Sequence, residues 1–351
     1  MRKINKRLFE WHGIDTDKNL GISDRCPRPY DTVLIDKAGS CFLCECTSWL
    51  PQSVGNLYIQ SLENILTSSM AGELQNSIAD GSYRYCNNKQ CSYLLIGDNS
   101  ELTPWSKKLP AGGKYFGWLA GIPDKQIKNI RLAIDDSCNL SCPSCRTHQI
   151  FERDKFQLRK RYQLADKIVE YVKKQSHTVN MHVGSDGDPF ASLIYRYFIK
   201  TIKDLPNVRF TMQTNGLLIK KMHRRHRTLF KKLDVLNISI DGATKTTYEK
   251  LRRGGSFDKI IENLESAKTL KQQHGFKFNL HFVVQNDNWR EIPLMLELAH
   301  RYNADEMFFN KIQNWNTGID FATQDFFKDE KFIEMLERVQ EDPIARIWTL
   351  L

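Results

Sequence analysis

The sequence predicts an α/β protein with a parallel sheet, preceded by a small cysteine-rich domain that metal organises. From residue 130 onward, short β-rich runs alternate with longer helical segments, which is typical of a parallel sheet with crossover helices. Nine cysteines fall into two separate groups within the first 145 residues. A chain of 351 residues with 41% hydrophobic content is long enough for one sizeable core and a second, smaller module.

Four segments follow from these patterns. We expect a cysteine-rich domain at 1–95, a Gly- and Pro-rich linker at 96–127, the α/β domain at 128–318 and a C-terminal helical segment at 319–351. The first segment has few long periodic helices and many turn residues, so metal rather than a large core should stabilise it.

Six strands and five helices are predicted in the α/β domain. The strands are 130–134, 179–184, 208–214, 236–240, 276–285 and 305–312. The helices are about 158–175, 192–204, 222–232, 257–273 and 290–302, from their apolar periodicity. Six β/α units form either an incomplete barrel or an open doubly wound sheet.

Composition restricts the location and the partners. No run of about 18 apolar residues could span a bilayer, and the basic start lacks the apolar stretch of a secretory signal, so we expect a cytoplasmic protein without membrane contact. A reducing cytosol disfavours disulfides, and the grouped cysteines indicate two metal sites. The net charge of +10 would attract nucleic acid, an acidic electron carrier or an acidic substrate.

A CxxxCxxC motif follows the first predicted strand. Its cysteines are Cys138, Cys142 and Cys145, at the strand end where α/β folds place their chemistry. Three thiolates would occupy three irons of a cubane cluster and leave the fourth iron open. A four-ligand zinc site with His148 is the alternative, and the position after a strand favours the cluster.

This region resembles the radical S-adenosylmethionine superfamily over about 128–318. The resemblance implies a partial (β/α)6 barrel of the TIM type in which S-adenosylmethionine chelates the fourth iron of a [4Fe-4S] cluster. It also implies reductive cleavage to a 5'-deoxyadenosyl radical, which abstracts hydrogen from a substrate. Ser144 departs from the family pattern, which usually has an aromatic residue before the third cysteine.

Further segments match the family's cofactor-binding motifs. In HVGSDGDPF, the residues Gly187, Asp188 and Pro189 resemble the end of the GGEP motif, which implies a turn that binds the ammonium group of S-adenosylmethionine. Asn215 in QTNG and Ser239 in NISIDGA resemble the TNG and SIDG segments. Taken separately, each of these segments would be an ordinary turn.

Two more cofactor contacts are implied downstream. In TTYEKLRRGG, Arg252 occupies the position of an arginine that approaches the carboxylate of S-adenosylmethionine, a role suited to a bidentate donor. Arg253 is the alternative partner, and a solvated charge at a helix end is the other interpretation. In FNLHFVVQNDNW, Asn288 is a polar candidate on the adenine side or a helix cap.

The N-terminal cysteines resemble a SPASM or twitch auxiliary domain that precedes the barrel instead of following it. This implies one auxiliary [4Fe-4S] cluster, and the selected ligands are Cys26, Cys44, Cys86 and Cys91, with Cys46 as the substitute for Cys44. Cys41 could join a ligand pair or be a small buried residue. A four-cysteine zinc ribbon is the alternative.

The resemblance implies a flavodoxin- or ferredoxin-like electron donor and a peptide, protein or carbohydrate substrate. A second hypothesis is a radical S-adenosylmethionine enzyme acting on RNA, because the segment 220–232 is strongly basic. The segment lacks the interleaved series of aromatic residues that single-strand binders use, which disfavours nucleic acid. A third hypothesis is a non-catalytic zinc module that binds nucleic acid.

Overall fold

The computed structural model of the chain describes residues 26–87, 91, 126–312 and 325–348. The predicted linker at 96–127 therefore lies outside the described residues, apart from its last two. The chain divides into two compact units. Of the described residues, the first unit contains those up to Arg131 together with 170–179, and the second contains 132–169 and those from Asn180 onward.

The first unit is built on a short antiparallel sheet. Its elements are α1 (Arg28–Asp31), β1 (Thr32–Asp36), β2 (Ser40–Phe42), β3 (Gly55–Asn56), α2 (Leu62–Leu66) and α3 (Ser69–Ala79). Strand β2 pairs with both β1 and β3. The β1–β2 turn requires Gly39, which has φ +79° and lies so close to Tyr58 that a Cβ would meet its ring at 2.5 Å.

The second unit alternates strands and helices. Its strands are β4 (Asn129–Ala133), β5 (Val179–Val183), β6 (Val208–Thr214), β7 (Leu233–Ser239), β8 (Lys277–Val284), β9 (Glu306–Lys311) and β10 (Ala345–Trp348). Its helices are α4 (Lys155–Lys173), α5 (Leu193–Ile202), α6 (Ile219–Arg225), α7 (Arg227–Lys231), α8 (Lys245–Leu251), α9 (Phe257–His274), α10 (Ile292–Arg301) and α11 (Glu330–Val339). The first residues of β4 and β5 and the end of α4 are assigned to the first unit.

Strand order distinguishes the two sheet architectures that the sequence left open. From β4 to β10 each strand neighbours the next one along the chain, and the pairs from β6 to β10 are parallel. A doubly wound sheet reverses its strand order at a switch point, whereas a barrel does not. The predicted α/β fold with a mostly parallel sheet is confirmed, with the strand order of a partial barrel.

The structure differs from the predicted elements at three places. The helix predicted at 222–232 is two short helices, α6 and α7, because His226 leaves the helical region with φ −139° and ψ 59°. Helix α8 was not among the predicted helices. The segment expected to be helical at 319–351 contains α11 and also β10, which extends the parallel sheet beside β9.

One face of the strands is apolar and the other is polar. In β6, Val208, Phe210 and Met212 are fully buried and alternate with Arg209, Thr211 and Gln213. Strand side chains alternate between the two faces of a sheet. The polar residues therefore share the face opposite the apolar core. Among the described residues, no helix has the length and apolar character needed to cross a membrane.

Candidate cluster and cofactor site

The three cysteines of the CxxxCxxC motif lie on the loop that leaves β4. The backbone N–H of Cys138 donates to the carbonyl of Ile150 (2.8 Å), which closes the loop at its base. The N–H groups of Cys145 and Arg146 both donate to the carbonyl of Cys142 (2.9 Å each). Cys138 and Cys142 are buried, and Cys145 is exposed.

Each of the three sulfur atoms has an N–H donor near it. The Leu140 N–H lies 3.4 Å from Cys138 Sγ, and Asn215 Nδ2 lies 3.7 Å from the same atom. Arg252 Nη1 is 3.9 Å from Cys142 Sγ, and Arg146 Nη2 is 3.3 Å from Cys145 Sγ. Burial raises the pKa of the Cys138 thiol to about 11, and such donors oppose that shift because they favour the thiolate. The donor set therefore fits an anionic iron-sulfur centre, which is bound by thiolates.

Arg253 fixes the cysteine loop and does not face the sulfur atoms. Its Nε donates to the carbonyl and the hydroxyl of Ser141 (3.1 and 3.2 Å), and its Nη2 donates to the carbonyl of Thr147 (2.9 Å). In return, the Ser141 N–H donates to the Arg253 carbonyl (2.9 Å). Of the two adjacent arginines, Arg252 is therefore the one placed beside a cysteine sulfur.

Arg252 is buried in an ion pair with Asp241. Its Nε lies 2.9 Å from Asp241 Oδ2, at ion-pair distance but outside hydrogen-bond geometry. The other oxygen of Asp241 accepts the N–H of Val283 (2.9 Å). The interpretation of Arg252 as a solvated helix-end charge is wrong, because its side chain is only 11% exposed.

Asn288 joins the ends of two strands. Its Nδ2 donates to the carbonyls of Asp241 (3.1 Å) and Val283 (2.9 Å), and its Oδ1 accepts the N–H of Gln285 (2.8 Å). It makes no side-chain cap to the following 3-10 helix, so the helix-cap interpretation is wrong. The side chain holds β7 and β8 in place at the edge where the site lies.

Asp188 fastens the turn after β5 to the end of β6. Its Oδ1 accepts the N–H groups of Phe190 (2.9 Å) and Ala191 (3.1 Å). Its Oδ2 accepts the Thr214 hydroxyl (2.7 Å) and the Asn215 N–H (2.8 Å). Burial raises the pKa of this carboxyl, and the four donors oppose that shift. Both oxygens of the Asp188 carboxylate thus already accept hydrogen bonds from within the protein.

The same turn approaches the cysteine loop closely at Gly187. The Asp188 N–H donates to the Ser137 carbonyl (2.8 Å). Gly187 has φ +68°, and a Cβ there would lie 2.6 Å from the Ser137 carbonyl oxygen and 2.7 Å from that of Asp135. Only glycine fits this backbone position. Pro189 follows directly and is buried.

Asn215 and Ser239 stand at the ends of β6 and β7. Besides its contact with Cys138, Asn215 Nδ2 donates to Asn139 Oδ1 (3.0 Å). The Ser239 hydroxyl accepts a hydrogen bond from Gln213 Nε2. Both residues lie on the polar side of the sheet, so they can take part in a ligand site there.

Two polar side chains on β8 were not singled out from the sequence. Asn279 Oδ1 and His281 Nε2 are buried without a hydrogen-bond partner. Burial, reinforced by Arg252, lowers the pKa of His281 to about 4, and its ring stacks on Phe308 with centroids 4.5 Å apart. The alternation of FNLHFVV was the available signal, but an apolar strand is assigned to the core by default.

A second unpredicted network supports the start of the cysteine loop. Asp135 is fully buried, forms an ion pair with Arg161 and accepts the Ser192 hydroxyl (2.6 Å). Arg161 also pairs with Glu152 at 3.2 Å. Ser192 caps α5 through the Tyr195 N–H (3.0 Å). The residues of this network are dispersed along the chain, so no short sequence motif identifies it.

In the first unit, four cysteines surround one small cavity. They are Cys26, Cys44, Cys86 and Cys91, and Arg28 and Trp49 line the same cavity. Burial raises the pKa of the Cys44 and Cys86 thiols to about 12. Across the residues that the structure describes, no group of three or more His, Cys, Asp or Glu side chains is arranged to hold a single metal ion.

The remaining two N-terminal cysteines are outside this cavity lining. Cys41 lies on β2, where its Sγ is 3.7 Å from the Gly39 carbonyl, and burial raises its pKa to about 12. Cys46 contributes its backbone N–H to the sulfur of Cys44. The structure therefore brings together the four cysteines selected from the sequence.

Comparison with known proteins agrees with this geometry. The model of the Radical SAM superfamily matches residues 134–299. A probable GTP 3',8-cyclase of Saccharolobus solfataricus is 23% identical over 214 residues, which is 60% of this chain and 66% of that protein. The GTP 3',8-cyclase of Synechocystis sp. is 24% identical over 223 residues, 62% of this chain and 63% of that protein. The chain thus spans less than two thirds of the length of these relatives.

Among solved structures, Streptococcus suis SuiB bound to precursor peptide SuiA is similar over 80% of this chain and 62% of that chain, with 14% identity and a TM-score of 0.45. The family match begins at the end of β4, includes the three cysteines and ends within α10. The cofactors of that superfamily are a [4Fe-4S] cluster and S-adenosylmethionine. The thiols and N–H donors described above are suited to both. Residues 134–299 of this chain therefore match the Radical SAM superfamily.

Proposed function

We propose that this chain is a radical SAM enzyme that cleaves S-adenosylmethionine reductively and removes hydrogen from a peptide, protein or carbohydrate substrate. The observation that carries the proposal is the set of N–H donors at the sulfur atoms of Cys138, Cys142 and Cys145. When bound, the cluster and S-adenosylmethionine supply the 5'-deoxyadenosyl radical. The protein supplies position, charge and exclusion of water.

Arg252 is the residue proposed to receive the carboxylate of S-adenosylmethionine. Its guanidinium is beside Cys142 and is oriented by Asp241. A planar guanidinium held in one orientation suits a carboxylate better than a mobile surface charge does. Asp241 thus acts as a positioning residue, and Asn288 holds the backbone of Asp241 in place.

The turn at 185–189 is proposed to receive the ammonium group through its backbone carbonyls. Asp188 would act indirectly, because both of its oxygens already accept hydrogen bonds within the protein. Gly187 permits the close approach of this turn to the cysteine loop, and Pro189 restricts its backbone. Asn215 and Ser239 complete the polar wall of the proposed cofactor site.

The four cysteines of the first unit are proposed to hold an auxiliary [4Fe-4S] cluster. Four thiolates leave no open iron, so this cluster would carry electrons or support the structure rather than bind S-adenosylmethionine. Two observations support this auxiliary cluster. One cavity is lined by Cys26, Cys44, Cys86 and Cys91, and the surrounding sequence resembles a SPASM or twitch domain.

An acidic flavodoxin- or ferredoxin-like protein is the proposed electron donor. The segment 196–232 contains eleven Lys and Arg residues and one acidic residue, Asp204. It includes most of α5 and all of α6 and α7, and its basic side chains are exposed or partly exposed. Such a surface would accelerate association with an acidic partner at low salt.

The decisive experiment is anaerobic reconstitution with iron and sulfide, followed by a dithionite-driven assay for 5'-deoxyadenosine. We expect about eight iron atoms per chain, as two cubane clusters require. Replacing Cys138, Cys142 and Cys145 together by Ala should remove about half of the iron and all S-adenosylmethionine cleavage. The Cys41→Ala variant is the matched control and should retain the iron content and the S-adenosylmethionine cleavage of the parent. Stoichiometric zinc without sulfide would exclude this function and favour the zinc-module hypothesis.

A purine nucleotide is the second candidate substrate. Two relatives are named as GTP 3',8-cyclases, and the strongly basic segment would favour an anionic ligand. Addition of GTP to the reconstituted protein should then stimulate 5'-deoxyadenosine formation. Stimulation by a short RNA but not by GTP would instead support the RNA hypothesis.

A further inference from the structure

Arg28 places a buried positive charge beside the N-terminal cysteines. It lies at the start of α1, and its Nη1 is 4.0 Å from Cys26 Sγ. The guanidinium lies 5.8 Å from the centre of the Trp49 ring, and the residue lines the same cavity as the four cysteines. Its side chain is only 15% exposed.

The protein neutralises this charge incompletely. Arg28 Nε is 3.3 Å from Glu45 Oε1 but is buried without a hydrogen-bond partner. The Glu45 side chain is 32% exposed, so solvent screens its effect. Arg252 in the second unit differs, because its partner Asp241 is only 2% exposed.

A buried guanidinium is costly unless a negative group compensates it. A guanidinium is not deprotonated in proteins, so Arg28 stays charged although it is buried. Neutral thiols cannot compensate the charge, whereas a metal centre bound by four thiolates is anionic.

We infer that Arg28 sets the reduction potential of the auxiliary cluster by holding a positive charge next to the Cys26 thiolate. The inference rests on the proposed auxiliary cluster. In the redox step the oxidised cluster takes one electron from a reduced mediator and gains one negative charge, and no bond is broken. A fixed neighbouring cation stabilises the reduced form more than the oxidised form, because the reduced form is more negative. Arg28 therefore raises the potential.

The test is a mediated dithionite titration of the full-length chain, followed by electron paramagnetic resonance. Cys138, Cys142 and Cys145 are replaced by Ala in this protein, so that only the auxiliary cluster contributes to the spectrum. The Arg28→Gln change should lower the ratio of reduced to oxidised cluster at least tenfold at a fixed potential, a shift of about 59 mV for a one-electron couple. Arg28→Lys, which keeps the charge, should lie much closer to the parent protein.

Two further variants keep the inference falsifiable. Glu45→Gln removes the carboxylate that pairs with Arg28 and should raise the reduction potential of the cluster. This variant tests the inference even if Arg28→Gln does not retain the cluster. Arg84→Gln is the matched control, because Arg84 is in the same unit, is 45% exposed and pairs with Asp80, so its potential should match the parent.

The possible failures are distinguishable. A cluster that is present but has the same potential in Arg28→Gln and Glu45→Gln overturns the role of Arg28 and leaves the proposed function intact. Zinc, or no iron-sulfur cluster, in the background with the three alanines overturns the auxiliary cluster and the inference with it. If Arg28→Gln lowers the reduction potential of the auxiliary cluster and Arg28→Lys lowers it equally, the charge of Arg28 is not the cause.

Discussion

Arg252 and Asp241 form an ion pair 2.9 Å apart, and their side chains are only 11% and 2% exposed. The pair links the end of α8 to the end of β7, where Cys142 Sγ lies 3.9 Å from Arg252 Nη1. Removing one member of a buried pair is far more costly than replacing both, because it leaves an uncompensated charge. The pair therefore couples stability to the proposed cofactor contact, and the two effects must be separated experimentally.

Arg252→Ala should lower the free energy of unfolding by about 3–5 kcal/mol, the usual cost of breaking a buried pair. The double variant Arg252→Met with Asp241→Asn should recover most of that loss, since no charge remains buried. Neither variant should bind S-adenosylmethionine as the parent does. Denaturant unfolding and equilibrium binding to the reconstituted protein measure the two effects, and parental binding by the double variant would contradict the assignment of Arg252.

The parallel sheet could be predicted because its strands are short apolar runs between periodic helices. Strand order could not, because consecutive β/α units are compatible with both a barrel and a doubly wound sheet. Strand β10 was missed because four residues, Ala345–Trp348, are too few to show a period. The short helix α8 was missed for a similar reason, although Thr244 caps it through the Thr247 N–H.

The cysteine ligands of the candidate site could be proposed from their spacing and from their position after a strand, whereas the bonds that orient the loop could not. Arg253 and Ser141 are 112 residues apart in sequence, and nothing local indicates that they meet. The turn that contains Asp188 was expected to bind the cofactor, but the sequence did not show that the Asp188 carboxylate would bond to β6 and to its own turn. Sequence motifs indicate which residues surround a site, but not through which atoms they act.

Arg253→Ala should loosen the cysteine loop without removing a sulfur atom. The variant loses the donors to the carbonyls of Ser141, within the cysteine loop, and of Thr147, two residues after Cys145. We expect the reconstituted variant to release iron to a chelator several-fold faster than the parent. Arg224→Ala, at an exposed position on α6, is the control and should release iron at the parental rate. Equal rates in all three proteins would show that the loop does not depend on Arg253.

His281 should make the stability of the fold sensitive to mild acid. Its folded pKa is about 4, whereas an unfolded histidine has a pKa of about 6.5. Between these values the unfolded chain binds more protons, so the contribution is complete above about pH 6.5 and is lost as the pH falls towards 4. One proton corresponds to a slope of at most about 1.4 kcal/mol per pH unit.

The His281→Phe variant should remove this part of the pH dependence. Phenylalanine keeps a ring against Phe308 and eliminates the unpartnered Nε2, so stability at pH 7 should be equal or higher. Denaturant unfolding of the parent and the variant at pH 7 and pH 5 measures the difference. If both proteins lose the same free energy of unfolding on acidification, His281 is not the group responsible.

Cys44 rather than Cys46 should bind the auxiliary cluster. Cys44 lines the cavity with Cys26, Cys86 and Cys91, whereas Cys46 contributes only a backbone N–H to the Cys44 sulfur. Alanine retains that N–H. We therefore expect Cys46→Ala to keep the full iron content and Cys44→Ala to lose about half of it, as determined by iron and sulfide analysis. The reverse result would exchange the two assignments.

Loss of the auxiliary cluster should not abolish cleavage of S-adenosylmethionine. Four thiolate ligands leave that cluster without an open iron, whereas Cys138, Cys142 and Cys145 leave one. The double variant Cys86→Ala with Cys91→Ala should therefore retain about half of the iron and still form 5'-deoxyadenosine with dithionite. A cooperative melt must first show that the variant is folded, because a unit stabilised by metal can unfold without it. A folded variant with one cluster but no cleavage would mean that the N-terminal cysteines take part in the cleavage step itself.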